Sequence, residues 1–155
     1  MQDSLADAAE RLAISDVINL YAWAIDTKDF DQLHQVFDTD VEADFTGFGG
    51  KHVIVSRAEW VDTVRKTVGN LDATQHLLGN HRHRIDGDTA HMTAYLQAMH
   101  RYNGAKADTD YVIGGHYEID LRKTDEGWRI RRYKLVVTWE TGNRYIMREA
   151  RNARG

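Results

Sequence analysis

The second half of the chain is a series of long extended segments separated by short polar turns. Asp86-Gly87-Asp88 is a tight turn between two such segments, over about 76–85 and 89–102. Two further strands are predicted over 111–122 and 128–139. Strands of this length have to twist and curve in order to pack, so the pattern favours one strongly bent antiparallel sheet.

The first part of the chain is predicted to supply helices. Apolar residues recur every three or four positions between residues 4 and 26, with Ser4 as a candidate N-cap. We expect a break near residues 13–15, where a second helix is able to start. A short helix is also predicted after Asp29, and it carries apolar residues as far as Phe37.

A half-buried strand and a capped helix follow. Residues 41–45 alternate apolar and acidic side chains, and the glycines between 47 and 50 end this strand in a loop. Ser56 and Glu59 form the capping box of a helix that stops at Gly69-Asn70.

Together these elements predict an α+β fold. We expect a cone-shaped, curved antiparallel or mixed sheet, with N-terminal helices closing its open side around a blind apolar pocket. The 155 residues, of which 42% are hydrophobic, suit a single domain over 1–155. Arginines interleaved with acidic residues over about 140–155 indicate a solvated tail, either less ordered or in contact with another copy of the chain.

Charge and composition exclude several classes of protein. The formal net charge is −4, so no basic surface for nucleic acid is expected. The chain has no cysteine, which excludes disulfides and thiolate chemistry. There is no run of about 18 apolar residues and no basic-then-apolar N-terminus, so we expect a cytoplasmic protein without a membrane span or secretory signal.

Two polar residues form a candidate general base. Asp26 ends the first helical pattern, and His76 lies at the entrance to the first long extended segment. A carboxylate that holds an imidazole in one tautomer produces a base that works near neutral pH. The residues alone also allow a structural interpretation, with Asp26 as a turn residue beside Thr27-Lys28-Asp29 and His76 as a hydrogen-bonded core histidine.

The eight histidines raise the question of a metal site. His81 and His83 alternate and therefore share one face of a strand, as two metal ligands would. In the expected hairpin register, however, His91 lies on the opposite face, and no third ligand is evident. We therefore expect no metal.

The same hairpin register sets His76 and His100 on opposite faces of the sheet. A bulge at Gly79 would shift the alternation by one residue and bring both imidazoles to the same face.

Four motifs, in the same order along nearly the whole chain, carry a family resemblance. They are Ile14-Ser15-Asp16-Val17-Ile18-Asn19-Leu20-Tyr21-Ala22-Trp23-Ala24-Ile25-Asp26, His76-Leu77-Leu78-Gly79-Asn80-His81, Asp86-Gly87-Asp88-Thr89-Ala90 and Glu126-Gly127-Trp128-Arg129-Ile130. With these motifs the chain resembles the SnoaL-like branch of the nuclear-transport-factor-2-like superfamily, whose fold is such a cone. It is similar there to a group of lyases: scytalone dehydratase, the bile-acid 7α-dehydratases and hexachlorocyclohexane dehydrochlorinase.

The resemblance implies a cofactor-independent lyase, most closely a dehydratase. It assigns Asp26 and His76 to an Asp–His dyad and Tyr21 to a pocket tyrosine of the dehydratases. On an ideal helix Tyr21 and Asp26 point about 140° apart, so both reach the pocket only if Asp26 lies at the end of the helix. The bile-acid enzymes carry a carboxylate where this chain has Ala98, which argues against their specific reaction. His100, two residues on and on the same strand face, is expected to take over a polar role.

The implied substrate is a hydrophobic polycyclic or aromatic small molecule, such as a steroid or polyketide. Side chains expected to contact it lie on the helices and on the inner face of the sheet. They are Trp23, Phe45, Trp60, Ala98, His100 and Tyr117. Neither a metal nor an organic cofactor is required by this chemistry.

Two other functions stay open from the sequence. A ketosteroid isomerase-like enzyme would use a pocket carboxylate as its base. A non-catalytic module would bind a ligand unchanged, or would support a partner as the small subunits of ring-hydroxylating dioxygenases do, and the latter implies a filled cone. Tyr and Val positions on the outer sheet face favour a homo-oligomer. The resemblance to the dehydratases implies a trimer ahead of a dimer.

Overall fold

The computed structural model of the protein describes residues 4–153. In chain order its elements are α1 (Leu5–Asp26), a 3₁₀ helix (Phe30–Gln35), β1 (Phe37–Asp44), a 3₁₀ turn (Thr46–Phe48), β2 (His52–Ser56), α2 (Arg57–Val68), β3 (Ala73–Asp86), β4 (Thr89–Arg101), β5 (Asp110–Thr124), β6 (Gly127–Gly142) and α3 (Ile146–Asn152).

The six strands form one curved, unclosed sheet in the order β2-β1-β6-β5-β4-β3. Neighbouring strands are antiparallel, with the exception of β1 and β6, which run parallel. The predicted α+β cone with a mixed sheet is therefore confirmed.

One face of the sheet packs against α1 and α2 and forms the core. Helix α1 contributes residues spaced three or four apart, namely Ile14, Ile18, Tyr21 and Ile25. Strand β4 contributes every second residue, namely Ala90, Met92, Ala94, Leu96, Ala98 and His100. This inner face of the sheet therefore carries the side chains from which an interior site has to be built.

Helix α1 continues without interruption through the expected break at residues 13–15, so that prediction was wrong. Ile14 and Ile18 are fully buried and keep the apolar stripe continuous across this stretch. Between them the hydroxyl of Ser15 bonds to side chains of β3 instead of capping a new helix.

The region between α1 and α2 differs from the sequence prediction in two respects. Phe37 begins β1, where it pairs with Ile130 of β6, rather than ending an α-helix. The segment before it is only a short 3₁₀ helix, and Asp29 makes no side-chain capping bond there. The edge strand β2 was not predicted, because its five residues follow a glycine-rich loop and lead directly into α2.

The C-terminal segment, as far as residue 153, packs against the rest of the fold through α3, and its contact with another copy of the chain stays a prediction. Ile146 and Ala150 of α3 are fully buried, and the Asn70 side-chain amide donates to the Ala150 carbonyl oxygen at 3.1 Å. Arg148 and Arg151 are exposed, as expected for a solvated surface, and Arg154 lies outside the described residues.

A bulge in β3 sets which of its side chains point inward. The β3–β4 register shifts between Gly79 and Arg82, and Asn80 has a positive φ of 52°. Before the bulge the even-numbered residues face the core, and His76 pairs with Ala98. After it the odd-numbered residues do so, and His83 pairs with Met92 as the hairpin register requires.

A second register shift, between β5 and β6, lies at the same level of the sheet as the bulge of β3. It falls between Gly114 and Gly115, and Gly115 pairs with Leu96 of β4. A Cβ atom at Gly115 would approach the Val136 carbonyl oxygen to 1.9 Å, so this close approach requires glycine. Two irregularities at one level of the sheet help to account for its bend.

Candidate active site

Asp26 and His76 are in direct contact. His76 Nδ1 donates to Asp26 Oδ1 at 2.7 Å, and the His76 backbone N–H donates to Asp26 Oδ2 at 2.7 Å. The imidazole is 6% exposed and the carboxylate 21% exposed. When the imidazole is neutral, Nδ1 carries its proton in this contact and Nε2 is the nitrogen able to accept a proton.

Two elements deliver these side chains to the same point. Asp26 is the last residue of α1, and from this position both Asp26 and Tyr21 lie next to His76. The chain then turns sharply, with Lys28 at a positive φ of 59° and its ammonium group bonded to the Leu71 carbonyl oxygen. His76 lies near the start of β3, beside that end of α1.

The environment keeps Asp26 ionised. Burial by itself raises the pKa of this carboxyl. The hydrogen bonds and charge of His76, together with the Thr74 hydroxyl, outweigh burial and bring the pKa below its ordinary value. The Thr74 hydroxyl donates to Asp26 Oδ1 at 2.8 Å.

Tyr21 lies between this pair and a cluster of buried rings. Its ring centroid is 6.3 Å from that of His76, in an edge-on arrangement. Its hydroxyl bonds with those of Tyr117 and Tyr133, and Trp60 Nε1 donates to the Tyr133 hydroxyl at 2.6 Å. Burial raises the pKa of Tyr21, so its hydroxyl stays protonated and able to donate.

His100 lies on the same inner face as His76, with ring centroids 6.0 Å apart. The bulge of β3 thus produces the arrangement that the simple hairpin register excluded. His100 is 4% exposed, and its Nδ1 donates to the Tyr111 carbonyl oxygen at 3.2 Å. Burial first, and then the charge of His76, lower the pKa of His100 to about 4. His100 is therefore a neutral hydrogen-bond acceptor at physiological pH.

Four other residues expected to contact the substrate lie in the core or pack against it. Ala98 is buried opposite His76, and Tyr117 and Trp60 lie in the ring cluster. Phe45 packs against Trp60 and Tyr133 at centroid distances of 5.7 and 5.2 Å. Their contact with a substrate stays a prediction.

Trp23 was assigned wrongly, because its side chain is 63% exposed. It lies two residues from Tyr21, which corresponds to about 200° around a helix, so it points away from the interior.

The interior next to the pair is packed with aromatic side chains. Tyr21 contacts Phe37, Tyr117 and Tyr133 edge to face, at centroid distances of 5.7 to 6.0 Å. Tyr133 was not singled out from the sequence, where one aromatic residue among the apolar positions of a strand carries no distinguishing signal. Thr74 was also missed, although its place two residues before His76 puts both on one strand face.

Two surface depressions lie on the outer face of the sheet, away from Asp26 and His76. The larger, of about 490 Å³, includes the exposed side chains Leu77, Tyr95 and Trp139. The smaller, of about 340 Å³, is lined mainly by charged residues. Apolar side chains are thus exposed on the outer face of the sheet, as the prediction of a homo-oligomer assumed. The oligomer itself stays a prediction.

A second polar cluster joins α1 to β3. The Ser15 hydroxyl bonds with His83 Nε2 at 2.8 Å and with His81 Nδ1 at 2.9 Å. Within residues 4–153, no group of three or more metal-ligating side chains is close enough to hold an ion. Over the same residues, none of the helices has both the length and the apolar character needed to span a bilayer.

The comparison with protein families identifies the family of this chain. The SnoaL-like domain family matches residues 6–134, and the chain therefore belongs to that family. An uncharacterised protein of Mycobacterium tuberculosis is 32% identical over 128 residues, which is 82% of this chain and 84% of the relative.

Solved structures with the same fold come from several proteins. One from Novosphingobium aromaticivorans, provisionally named an aromatic ring hydroxylase, has a TM-score of 0.79 and 29% identity, over 88% of this chain and 94% of its own. Another from that organism, provisionally named a scytalone dehydratase, has a TM-score of 0.76 and 21% identity, over 88% and 89%. Hexachlorocyclohexane dehydrochlorinase of Novosphingobium barchaimii has a TM-score of 0.75 and 16% identity, over 90% and 93%.

Proposed function

We propose that the protein is a cofactor-independent lyase that carries out a dehydratase-type elimination on a hydrophobic polycyclic or aromatic small molecule. The observation that supports this most directly is the nearly buried imidazole of His76, whose Nδ1–H is held by Asp26. Such an imidazole has a single free lone pair, at Nε2, directed away from the carboxylate. The fold shared with a protein named as a scytalone dehydratase and with a dehydrochlorinase adds support.

In the proposed reaction His76 is the base. Its Nε2 removes a proton from a carbon next to an activating group, and the electron pair of the C–H bond becomes the new carbon–carbon double bond. The bond from the neighbouring carbon to the leaving hydroxyl breaks at the same time. The leaving oxygen then takes the proton from the imidazolium, so the products are the unsaturated compound and water, and His76 returns to its starting state.

The other residues of the site stabilise charge. Asp26 fixes the tautomer of His76 and stabilises the imidazolium while it exists. The Tyr21 hydroxyl donates a hydrogen bond to a carbonyl oxygen or to the leaving hydroxyl. His100 accepts a hydrogen bond from the substrate, since its own Nδ1–H is engaged by Tyr111. The aromatic cluster beside the pair suits a flat, apolar substrate and limits water.

The test is an elimination assay on a panel of hydroxylated steroid and polyketide ketones, read out by the absorbance of the new conjugated double bond. We expect His76→Ala to lower kcat by about 10²–10⁴-fold, the usual contribution of a general base. Asp26→Asn should also lower kcat. If Asp26→Asn were severe and His76→Ala mild, the carboxylate would be the base and the isomerase-like alternative would hold.

The outer face of the sheet offers a matched control. His91 Nδ1 bonds with Asp120 Oδ1 at 2.7 Å, which is the same kind of pair in an exposed place. Asp120→Asn and His91→Ala should leave turnover unchanged. If they reduced turnover as much as the interior variants do, the loss would be a general effect on folding and would not support the proposal.

A non-catalytic subunit is the second candidate, because the interior is packed with rings, as a filled cone requires. This alternative is tested by isolating the protein under native conditions from its source. A stoichiometric iron-containing large subunit, together with no turnover on the panel, would favour it over the lyase.

A further inference from the structure

The carboxylate of Asp26 receives three hydrogen bonds, and two of them converge on one oxygen. His76 Nδ1 and the Thr74 hydroxyl both donate to Oδ1, at 2.7 and 2.8 Å. The His76 backbone N–H donates to Oδ2 at 2.7 Å. The orientation of the carboxylate is thus defined from both oxygens, and Thr74 shares the oxygen that faces the imidazole.

Strand geometry makes this shared contact a consequence of the β3 sequence. Thr74 and His76 are two residues apart on the same face of β3, before its bulge, so both side chains point toward the end of α1. Thr74 pairs with His100 across the ladder, which places its side chain among the residues of the site. Since Thr is branched at Cβ, its χ1 angle is restricted and its hydroxyl has few alternative positions.

The polar groups that act on Asp26 come from four elements. Thr74 and His76 of β3 act on it directly. The groups that interact with its charge at longer range are Tyr21 of α1 itself, His100 of β4 and Tyr117 of β5. Of these groups, Thr74 alone is a neutral donor that binds the carboxylate oxygen without titrating near neutral pH.

We propose that Thr74 is a positioning residue for the Asp26–His76 pair, which keeps the carboxylate ionised and the shared proton on Nδ1 of His76. The inference rests on the proposed function in treating this pair as the catalytic base. An oxygen that already accepts the Thr74 hydroxyl is a poorer acceptor for full transfer of the imidazole proton. The hydroxyl also prevents the carboxylate from rotating away from Nδ1.

The experiment compares Thr74→Val, which keeps the shape and removes the donor, with Thr74→Ser, which keeps the donor. The substrate-independent measurement is the pH titration of the Asp26 side-chain carboxyl carbon by NMR. We expect a higher titration midpoint in Thr74→Val than in the wild-type protein, and a midpoint close to wild type in Thr74→Ser. Nitrogen shifts of the His76 ring should show the Nδ1–H tautomer less completely populated in Thr74→Val.

A matched control is Thr27→Val, which removes the hydroxyl of the residue that follows Asp26 in the sequence. The Thr27 hydroxyl donates to the Trp23 carbonyl oxygen at 2.7 Å and does not contact the carboxylate. The Asp26 midpoint should be unchanged in this variant. An unchanged midpoint in Thr74→Val, or an equal shift in Thr27→Val, would overturn the assignment.

Kinetics provide the second readout once a substrate is found. Thr74→Val should lower kcat roughly tenfold to hundredfold with little change in KM, because a hydrogen bond to a charged group is lost and the substrate contacts remain. Thr74→Ser should restore most of kcat. If no substrate is turned over but the NMR shift is present, the lyase proposal fails and the role of Thr74 in ordering the pair stands.

Discussion

His100 lies directly opposite Thr74 in the β3–β4 ladder, two pairs along from His76 and Ala98. This relationship exists only because the bulge after Gly79 moves the even-numbered residues of β3 onto the inner face. It brings two imidazoles and a carboxylate together on the inner side of the sheet.

The first prediction concerns the acid stability contributed by His100. Its pKa is lowered from 6.5 to about 4 in the folded chain, chiefly by burial. Between these pH values the unfolded chain binds a proton that the folded chain does not. The stability contributed by the neutral His100 is therefore fully present above the unfolded pKa and is lost as the pH falls toward 4. We expect His100→Phe to reduce the loss of unfolding free energy between about pH 7.5 and about pH 4.5 by roughly 2–3 kcal/mol.

Urea denaturation at the two pH values measures this difference. His91→Phe is the control, since His91 lies exposed on the outer face and should leave the difference as in the wild-type protein. An identical difference in His100→Phe and the wild-type protein would contradict a depressed pKa at His100.

The second prediction concerns Ser15. Its hydroxyl is the hydrogen-bond partner of both His81 Nδ1 and His83 Nε2, and burial lowers the pKa of both histidines. Ser15→Ala should destabilise the fold by about 1–3 kcal/mol, because two imidazole nitrogens lose their partner. Urea denaturation at neutral pH measures this cost.

Asn19→Ala, at an exposed position of the same helix, is the control for Ser15→Ala, and it should change stability by less than about 0.5 kcal/mol. Equal effects of the two substitutions would mean that the Ser15 cluster makes no specific contribution.

The third prediction concerns the ring cluster beside the site. Tyr133→Phe leaves Trp60 Nε1 without the acceptor that it reaches at 2.6 Å in a buried place. We expect a loss of about 1–3 kcal/mol in unfolding free energy. Thermal or urea denaturation followed by tryptophan fluorescence measures it, and Tyr145→Phe, at an exposed position, should have almost no effect. If Tyr133→Phe left the unfolding free energy unchanged, this buried hydrogen bond would contribute little net stability.

The fourth prediction concerns the start of α2. Ser56 and Glu59 form the capping box that the sequence predicts, with each side chain bonded to the other's backbone N–H. Ser56→Ala should cost about 0.5–2 kcal/mol. Ser4→Ala removes the equivalent box of α1, and thermal denaturation of the two variants compares the stability that each capping box contributes. A Ser56→Ala variant as stable as the wild-type protein would contradict this role.

Local patterns predicted most of the sheet because polar turns fix the register close to them. The pairing of His83 with Met92 and of Arg84 with His91 follows from the turn at Gly87 alone. The bulge farther along β3 depends on Asn80 adopting a positive φ, which tertiary packing has to stabilise. The sequence therefore shows that the site requires a bulge near Gly79, but it does not show that the bulge forms.

The errors on α1 have a common physical origin. Trp23 and Tyr21 are both aromatic, and only packing against the sheet decides which one is buried. Similarly, Ser15 has the side chain of a helix cap, and only its histidine partners on β3 show that it lies inside a continuous helix. The Asp26–His76 contact was predicted because family motifs supplied information about tertiary structure that spacing does not contain.

The parallel pairing of β1 with β6 has a consequence for the order of folding. Strand β1 ends at Asp44, whereas its β6 partner residues lie between Ile130 and Lys134. During synthesis β1 is therefore made long before this neighbour emerges from the ribosome, and the centre of the sheet closes only after β6 has been made. Contacts of such large sequence separation slow folding and leave an unpaired strand edge exposed in the meantime. For this protein, truncation within β6 should produce an aggregating chain rather than a smaller stable domain.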